Sequence, residues 1–311
     1  MKAARIHTYG GAEVLTIDDV EKPTITDEEV LVKVIASSIN PLDWLLRSGE
    51  LKDLIPVSFP HTLGWDFSGI IEKVGSKVTK YAVGDAIYSR PEVSRHGSHA
   101  EYIAVPAVDI AIKPRTVSFA SAASLPIASI TAWQALFEKG ELKKGQRILI
   151  HGGAGSLGAI AVQLAKAQGA YVITTAAEND HEFVRSLGAD EVIDFRKVRF
   201  QDVVSDVDVV LDTIGRQVQV DSYAVLKHKG ILVAVNTYPD LELAKSYGVE
   251  ARFLSIKPNG SHLKKVAEWV DNGRLRPIVG HEYSFEDIAQ AYSLSESGAA
   301  KGKIVLHVST P

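Results

Sequence analysis

The chain has 311 residues, 46% of them hydrophobic and 23% charged, with a formal net charge of −4. That balance describes a globular protein able to bury a substantial core in one or two domains, and it disfavours a general nucleic-acid binder, which needs a basic stripe. There is no cysteine, so disulfides, thiolate nucleophiles and thiolate metal sites are excluded. No apolar run is long enough to span a bilayer. The N-terminal MKAARIHTYGG alternates like a strand without an apolar signal segment, so cytoplasm is the expected location.

Up to about residue 120 the chain reads as short strands between turn signals. ARIHTYGG, EEVLVKVIASSI, FSGIIEKVGSKV and HAEYIAVP alternate Val, Ile and Tyr with polar residues, and Gly, Pro and Asp punctuate them. This predicts a small β-barrel or sandwich. Near Pro126 the grammar changes. TAWQALFEKGEL is helical, and RILIHGG after Gly145 is a short apolar run suited to a buried parallel strand. GSLGAIAVQLAKAQG then sets Leu157, Ile160, Ala161, Leu164 and Ala165 on one helical face. AYVITTA, DEVIDF, DVDVVLDTIG, GILVAVN and EARFLSI continue the strands, and EFVRSLGA is a helix with a Gly stop. Six strands after Gly145, separated by helices, predict a doubly wound parallel sheet. From about His262, HLKKVAEWVDNG and SFEDIAQAY read as helices and KGKIVLHV as a last strand, a tail expected to return to the first domain.

Residues 151–158 read HGGAGSLG, so Gly153, Gly155 and Gly158 fit G-x-G-x-x-G. The motif alone is weak, but here it follows a predicted strand and opens a predicted helix. On this reading Gly153 makes the tight turn, Gly155 leaves room for a pyrophosphate, and Gly158 lets the helix pack closely. The helix N-terminus offers free N–H groups to an anion. Gly153, Ala154, Gly155, Ser156, Leu157 and Gly158 are therefore the candidate coenzyme cradle. A competing pattern, A-x-S-x-G over Ala154, Ser156 and Gly158, resembles a nucleophile elbow and would make Ser156 the nucleophile of a serine hydrolase. The mostly β structure before it argues against that reading.

The second strand of this region ends in Thr174, Thr175 and Ala176, where an NAD site presents Asp or Glu to the ribose. Small hydroxylated residues leave space for a 2′-phosphate, which favours NADP(H) and makes Thr175 and Ala176 binding candidates. No Arg or Lys follows at once, and Glu178 is able to swing back. His181 and Arg185 are more simply explained as helix surface. His96 and His99, three apart in a Gly/Ser segment without a third ligand, read as a solvated loop.

Several stretches together carry a family resemblance over essentially the whole length. They are SINPLDW at 38–44, LGWDFSGIIEKVGSKVTKYAVGD at 63–85, LPIASITAWQAL at 125–136, the glycine loop, LGADEVID at 187–194 and the closing KGKIVL. The chain resembles the medium-chain dehydrogenase/reductase superfamily, in its zinc-independent quinone oxidoreductase and enone reductase branch. The resemblance implies an α/β protein with a GroES-like β-rich catalytic domain, residues 1–124 and 262–311. A Rossmann doubly wound parallel sheet domain, residues 125–261, would be inserted between them, with the active site in the cleft and dimers paired through a Rossmann edge strand. Where zinc alcohol dehydrogenases have Gly-His-Glu this chain has Gly64-Trp65-Asp66, and their cysteine position falls in Ile39-Asn40-Pro41. A catalytic zinc is therefore not expected.

Hydride delivery to a conjugated acceptor spreads charge over an enolate or quinol anion, so positioning and a few donors suffice. The expected activity is NADPH-dependent reduction of a quinone or α,β-unsaturated carbonyl. The resemblance implies that Asn40 donates its amide to coenzyme or acceptor, or else serves the turn before Pro41. Asp43 fixes that loop or caps the following helix. Thr131 faces the nicotinamide ribose, or is only a hydroxyl at a helix start. Ile214, Gly215, Val235 and Asn236 end the fourth and fifth strands where the coenzyme crosses, and Lys303 reaches its phosphates or is only surface. Trp44, Trp65, Tyr88 and Tyr238 are candidate walls of the acceptor site, and the proton donor is left open between Tyr88, Tyr238 and water. Two other functions compete with reduction: NADPH binding without turnover, with single-stranded RNA binding as a variant, and the Ser156 hydrolase. No membrane partner is expected.

Overall fold

The structure is a computed structural model describing residues 1–92 and 94–311. It divides into two compact units. One comprises Met1–Ile127, Lys257–Gly273 and Pro277–Pro311; the other comprises Ala128–Ile256 and Arg274–Arg276. No helix among the described residues is long and apolar enough to cross a membrane.

The second unit is built on a six-stranded sheet. In spatial order its strands are Glu191–Asp194, Tyr171–Ala176, Arg147–Ile150, Val207–Asp212, Leu226–Ala234 and Glu250–Phe253. Numbered within the unit, the order is 3-2-1-4-5-6, and every pairing is parallel. The chain reverses direction of winding between the first and fourth strands, which opens a crevice at their carboxyl ends. Ile148, Leu149 and Ile150 of the central strand are fully buried. Each contributes roughly 1.5–3 kcal/mol by leaving water. The helix Ser156–Ala167 packs back on the sheet through Ile160, Ala161, Leu164 and Ala165, all buried, while Leu157 is only half-buried. The helical stretch expected from TAWQALFEKGEL is an α-helix over Pro126–Trp133 that continues as a π-helix over Gln134–Lys139.

The first unit holds a seven-stranded sheet and a three-stranded one. The long strand Glu29–Ile39 organises the larger sheet. Its first half pairs with Tyr102–Pro106, its second half with Lys303–His307, and Phe67–Val74 runs along its other edge. Because Ile304 stands opposite Ile39, the C-terminal strand delivers Lys303 beside Asn40. At Asn40 the chain leaves the strand and enters the helix Pro41–Ser48, with Asn40 as N-cap, Pro41 in the first turn and Gly49 (φ +88°) as the left-handed stop.

Candidate active site

Two polar constellations stand out, one in each unit. In the second unit the segments following the first, second, fourth and fifth strands emerge at one edge of the sheet, and side chains stitch them together. Gly152 N donates to Thr175 Oγ1 at 3.0 Å, and Gly153 N donates to Thr175 O at 3.0 Å. Thr213 Oγ1 donates to His151 O at 2.8 Å, and Asn236 Nδ2 donates to Thr213 O. Asp212 ends the fourth strand and folds the next turn. Its carboxylate accepts from Ile214 N (2.9 Å), Gly215 N (2.8 Å) and Gln219 Nε2 (2.9 Å). The glycine loop, Ala176, Ile214, Gly215, Val235 and Asn236 thus share one rim, and Thr131 is buried on the Pro126–Trp133 helix.

The glycines divide their work differently from expectation. The positive φ of the turn falls on Gly152 (+68°), not Gly153. Gly153 instead permits close approach to the second strand, since a Cβ there would lie 2.1 Å from Thr174 Oγ1. A Cβ on Gly158 would lie 2.1 Å from Gly152 O, so the helix packs against the loop itself. At Gly155 a Cβ would meet only Gly152 O at 3.3 Å, which leaves one open approach to the backbone. Gly155 is the N-cap and brings no side-chain acceptor, so the first-turn amides of the Ser156–Ala167 helix are uncapped. An open backbone approach at an uncapped helix mouth fits a pyrophosphate. Both threonine hydroxyls of the second strand are engaged within the unit: Thr174 Oγ1 donates to Ile150 O at 2.7 Å, and Thr175 Oγ1 accepts from Gly152 N and lies 3.4 Å from His151 Nδ1. Beyond that strand, Glu178 is held by Lys197 at 2.7 Å, from the segment after the third strand, rather than swinging back. Ser156 has no hydrogen bond to a histidine among the described residues. His151 engages Ser222 (2.9 Å) and Thr175 (3.4 Å), so the nucleophile reading lacks its base.

In the first unit Asp66 lies at the centre of a buried network. Its Oδ2 accepts from Lys303 Nζ (2.8 Å), Ser38 Oγ (2.9 Å) and Asn40 Nδ2 (3.0 Å), and its Oδ1 accepts from Ile127 N (2.7 Å). Lys303 Nζ also donates to Asn40 Oδ1 and to Ile39 O at 3.4 Å. Lys303 is therefore a buried ion-pair member rather than solvated surface. Asp43 accepts from Asn40 N (2.7 Å) and Gly64 N (2.9 Å), tying the helix start to the segment that carries Asp66. Burial raises its carboxyl to about 7, against the pull of the Asn40 amide and the Lys303 charge. Behind Asp66, the Ser37 and Ser98 hydroxyls reach its carbonyl oxygen at 2.7 and 2.9 Å, and His99 Nδ1 lies 2.9 Å from Ser37 Oγ. Burial, aided by Lys303, pushes His99 down to about 3, so it is neutral. His99 is fully buried, which corrects the expectation of a solvated loop; His96 is exposed.

The aromatic candidates separate. Trp65 is fully buried in the core with Ile6, Leu46 and Leu63, and Tyr88 is fully buried with its hydroxyl donating to Leu263 O. Neither can wall an acceptor site, and Tyr88 is no proton donor. Trp44 is half-buried, and Tyr238 is exposed and stacked on Phe253 at 3.8 Å.

The alcohol dehydrogenase GroES-like domain model matches residues 26–115, and a zinc-binding dehydrogenase model matches residues 187–306. The chain is 35% identical to the 2-methylene-furan-3-one reductase of Solanum lycopersicum, over 99% of this chain and 79% of that protein. It is 36% identical to the chloroplastic NADPH-dependent alkenal/one oxidoreductase of Arabidopsis thaliana, with the same coverage. The quinone oxidoreductase structure from Coxiella burnetii superposes with a TM-score of 0.92 at 34% identity, covering 99% of each chain. The chain belongs to the medium-chain dehydrogenase/reductase superfamily, in its quinone oxidoreductase and enone reductase branch. As a medium-chain reductase it departs from the zinc dehydrogenases in its donor set. It has no cysteine, and Asp66, which the resemblance of Gly64-Trp65-Asp66 to Gly-His-Glu matches to their glutamate, already binds an ammonium group. Those residues do not fit a zinc ion. Sequence reasoning missed Asp212, His151 and the Lys303–Asp66 pair. The alternating pattern finds strands, and it is silent about which polar side chains meet across them.

Proposed function

We propose that this medium-chain reductase binds NADP(H) at the glycine loop and reduces a quinone or an α,β-unsaturated carbonyl without zinc. The observation that carries the reading is the uncapped mouth of the Ser156–Ala167 helix, with an open backbone approach at Gly155, on the crevice edge of a 3-2-1-4-5-6 sheet. The reduced nicotinamide, when bound, supplies the hydride. The loop amides would hold the diphosphate, and the turn fixed by Asp212 with Asn236 would line its path. Lys197, beside Glu178, supplies positive charge near the end of the second strand, where a 2′-phosphate would lie. Negative charge developing on the acceptor oxygen is met by the Asn40 amide, and the completing proton comes from solvent. The names of the alkenal/one oxidoreductase and quinone oxidoreductase relatives support this acceptor class. Cytoplasmic location and a homodimer belong to the same proposal. Light scattering on the purified protein tests the dimer.

The deciding experiment follows reduced coenzyme consumption with 1,4-benzoquinone and with an enone, using NADPH and NADH in parallel. Acceptor-dependent oxidation with NADPH preferred is the expected result. A fluorescence change on NADPH binding without turnover would leave only a coenzyme-binding protein.

A further inference from the structure

Asn40 is buried, and three charged or polar neighbours fix its amide. Lysine is only a donor, so the Asn40 atom facing Lys303 Nζ must be the oxygen. An ionised carboxylate is only an acceptor, so the atom 3.0 Å from Asp66 Oδ2 must be the nitrogen. The amide orientation is thereby set by chemistry rather than by packing. One Nδ2 proton goes to Asp66, and the other is left with only a 3.5 Å contact to Ser38 O. An ammonium on the carbonyl oxygen also draws charge out of the amide, which makes the remaining N–H a stronger donor.

We propose that Lys303 is a positioning residue that acts through Asn40, holding its amide as a polarised N–H donor toward the acceptor oxygen. This rests on the reductase reading above. Without the ammonium only Asp66 opposes rotation of the Asn40 amide, and an amide turned to present its oxygen would repel an acceptor carbonyl. Asp66 completes the device. It anchors the amide nitrogen and neutralises Lys303, so a cation is held at the site without a net charge. The remainder of Asp66, held by Ser38 Oγ and Ile127 N, keeps the pair rigid. The chain joins residues 263 positions apart for this purpose, since Lys303 enters only on the C-terminal strand.

The test is a double-mutant cycle between Lys303→Met and Asn40→Ala, with two further readouts. In the otherwise unaltered chain, Lys303→Met is expected to lower kcat by roughly 10- to 100-fold. NADPH affinity by fluorescence titration should stay within about threefold of the starting value. In the Asn40→Ala background the same change should cost less than about threefold, because the two residues act as one unit. Removing one member of a buried ion pair endangers folding. The Lys303→Met/Asp66→Asn chain, which removes both charges, is therefore assayed alongside and is expected to be slow as well. In coenzyme-free wild-type protein, the two Asn40 Nδ2 proton resonances should be well separated and slow to exchange. If wild type oxidises no NADPH with either acceptor, the reductase reading fails. If wild type turns over, the outcomes that overturn the role of Lys303 alone are an equal cost in both backgrounds, an unimpaired Asn40→Ala variant, or rapidly averaging Asn40 resonances.

Discussion

Replacing Asp43 with Asn should remove from the pH profile of stability a decline that runs from about pH 4 to about pH 7. Burial holds the Asp43 carboxyl at about 7 in the folded chain, against its ordinary value of 3.8. Between those values the folded protein keeps a proton that the unfolded chain has lost, so unfolding releases it. Stability from this group is therefore complete below the unfolded value and declines as pH rises through the folded one. At about 1.4 kcal/mol per unit over about three units, the full decline is about 4 kcal/mol. His61, His99 and His151 oppose this, because burial lowers them to about 4, about 3 and about 4. Each adds stability as pH rises from the folded value toward 6.5, so the raw profile is a sum. The difference between wild type and Asp43→Asn isolates the carboxyl. Asn also places an NH₂ against one of the two backbone amides that Asp43 serves, which costs about 1–3 kcal/mol at every pH. Urea denaturation at four pH values measures both effects. Parallel curves for the two proteins, with a constant offset, would refute the raised carboxyl.

Four further outcomes are expected. Gly158→Ala drives a Cβ to within 2.1 Å of Gly152 O and should abolish coenzyme binding while lowering the melting temperature. Gly155→Ala, with a 3.3 Å contact at an N-cap, should weaken NADPH binding by about tenfold and cost about 1 kcal/mol of stability, less than Gly158→Ala; thermal shift and fluorescence titration separate the two. Lys197→Ala should raise the Kd for NADPH by about five- to tenfold and leave that for NADH unaltered, by calorimetry. Tyr88→Phe removes a buried donor to Leu263 O and should cost about 1 kcal/mol in denaturation with kcat unchanged, as befits a core residue.

The second unit was readable because its signals are local. Strand and helix alternate within a few residues of one another, and the three glycines sit at a strand-to-helix junction that only a few uses explain. Even there the detail escaped. The left-handed position belongs to Gly152, since the turn begins one residue earlier than the motif suggests. Thr175 looked available to a ligand because spacing does not reveal that its hydroxyl already holds a loop amide. In the first unit the strands of the clearest runs were legible. The short ones at His61–Thr62 and Ile110–Ile112 lacked enough alternation to declare themselves. The network of Asn40, Asp66 and Lys303 was out of reach, because its members meet only after three distant strands pair. Trp65 and Tyr88 failed for the same reason: whether an aromatic faces a core or a ligand is decided by the sheet it lands on, not by its neighbours in sequence.

The most direct trial is the initial rate of NADPH oxidation by the chelator-treated 311-residue protein, with 1,4-benzoquinone or an enone as acceptor. Oxidation that requires the acceptor, survives chelation and falls sharply in Gly158→Ala is the outcome expected. NADPH left intact in the presence of both acceptors, or a rate lost on chelation and restored by zinc, would contradict it.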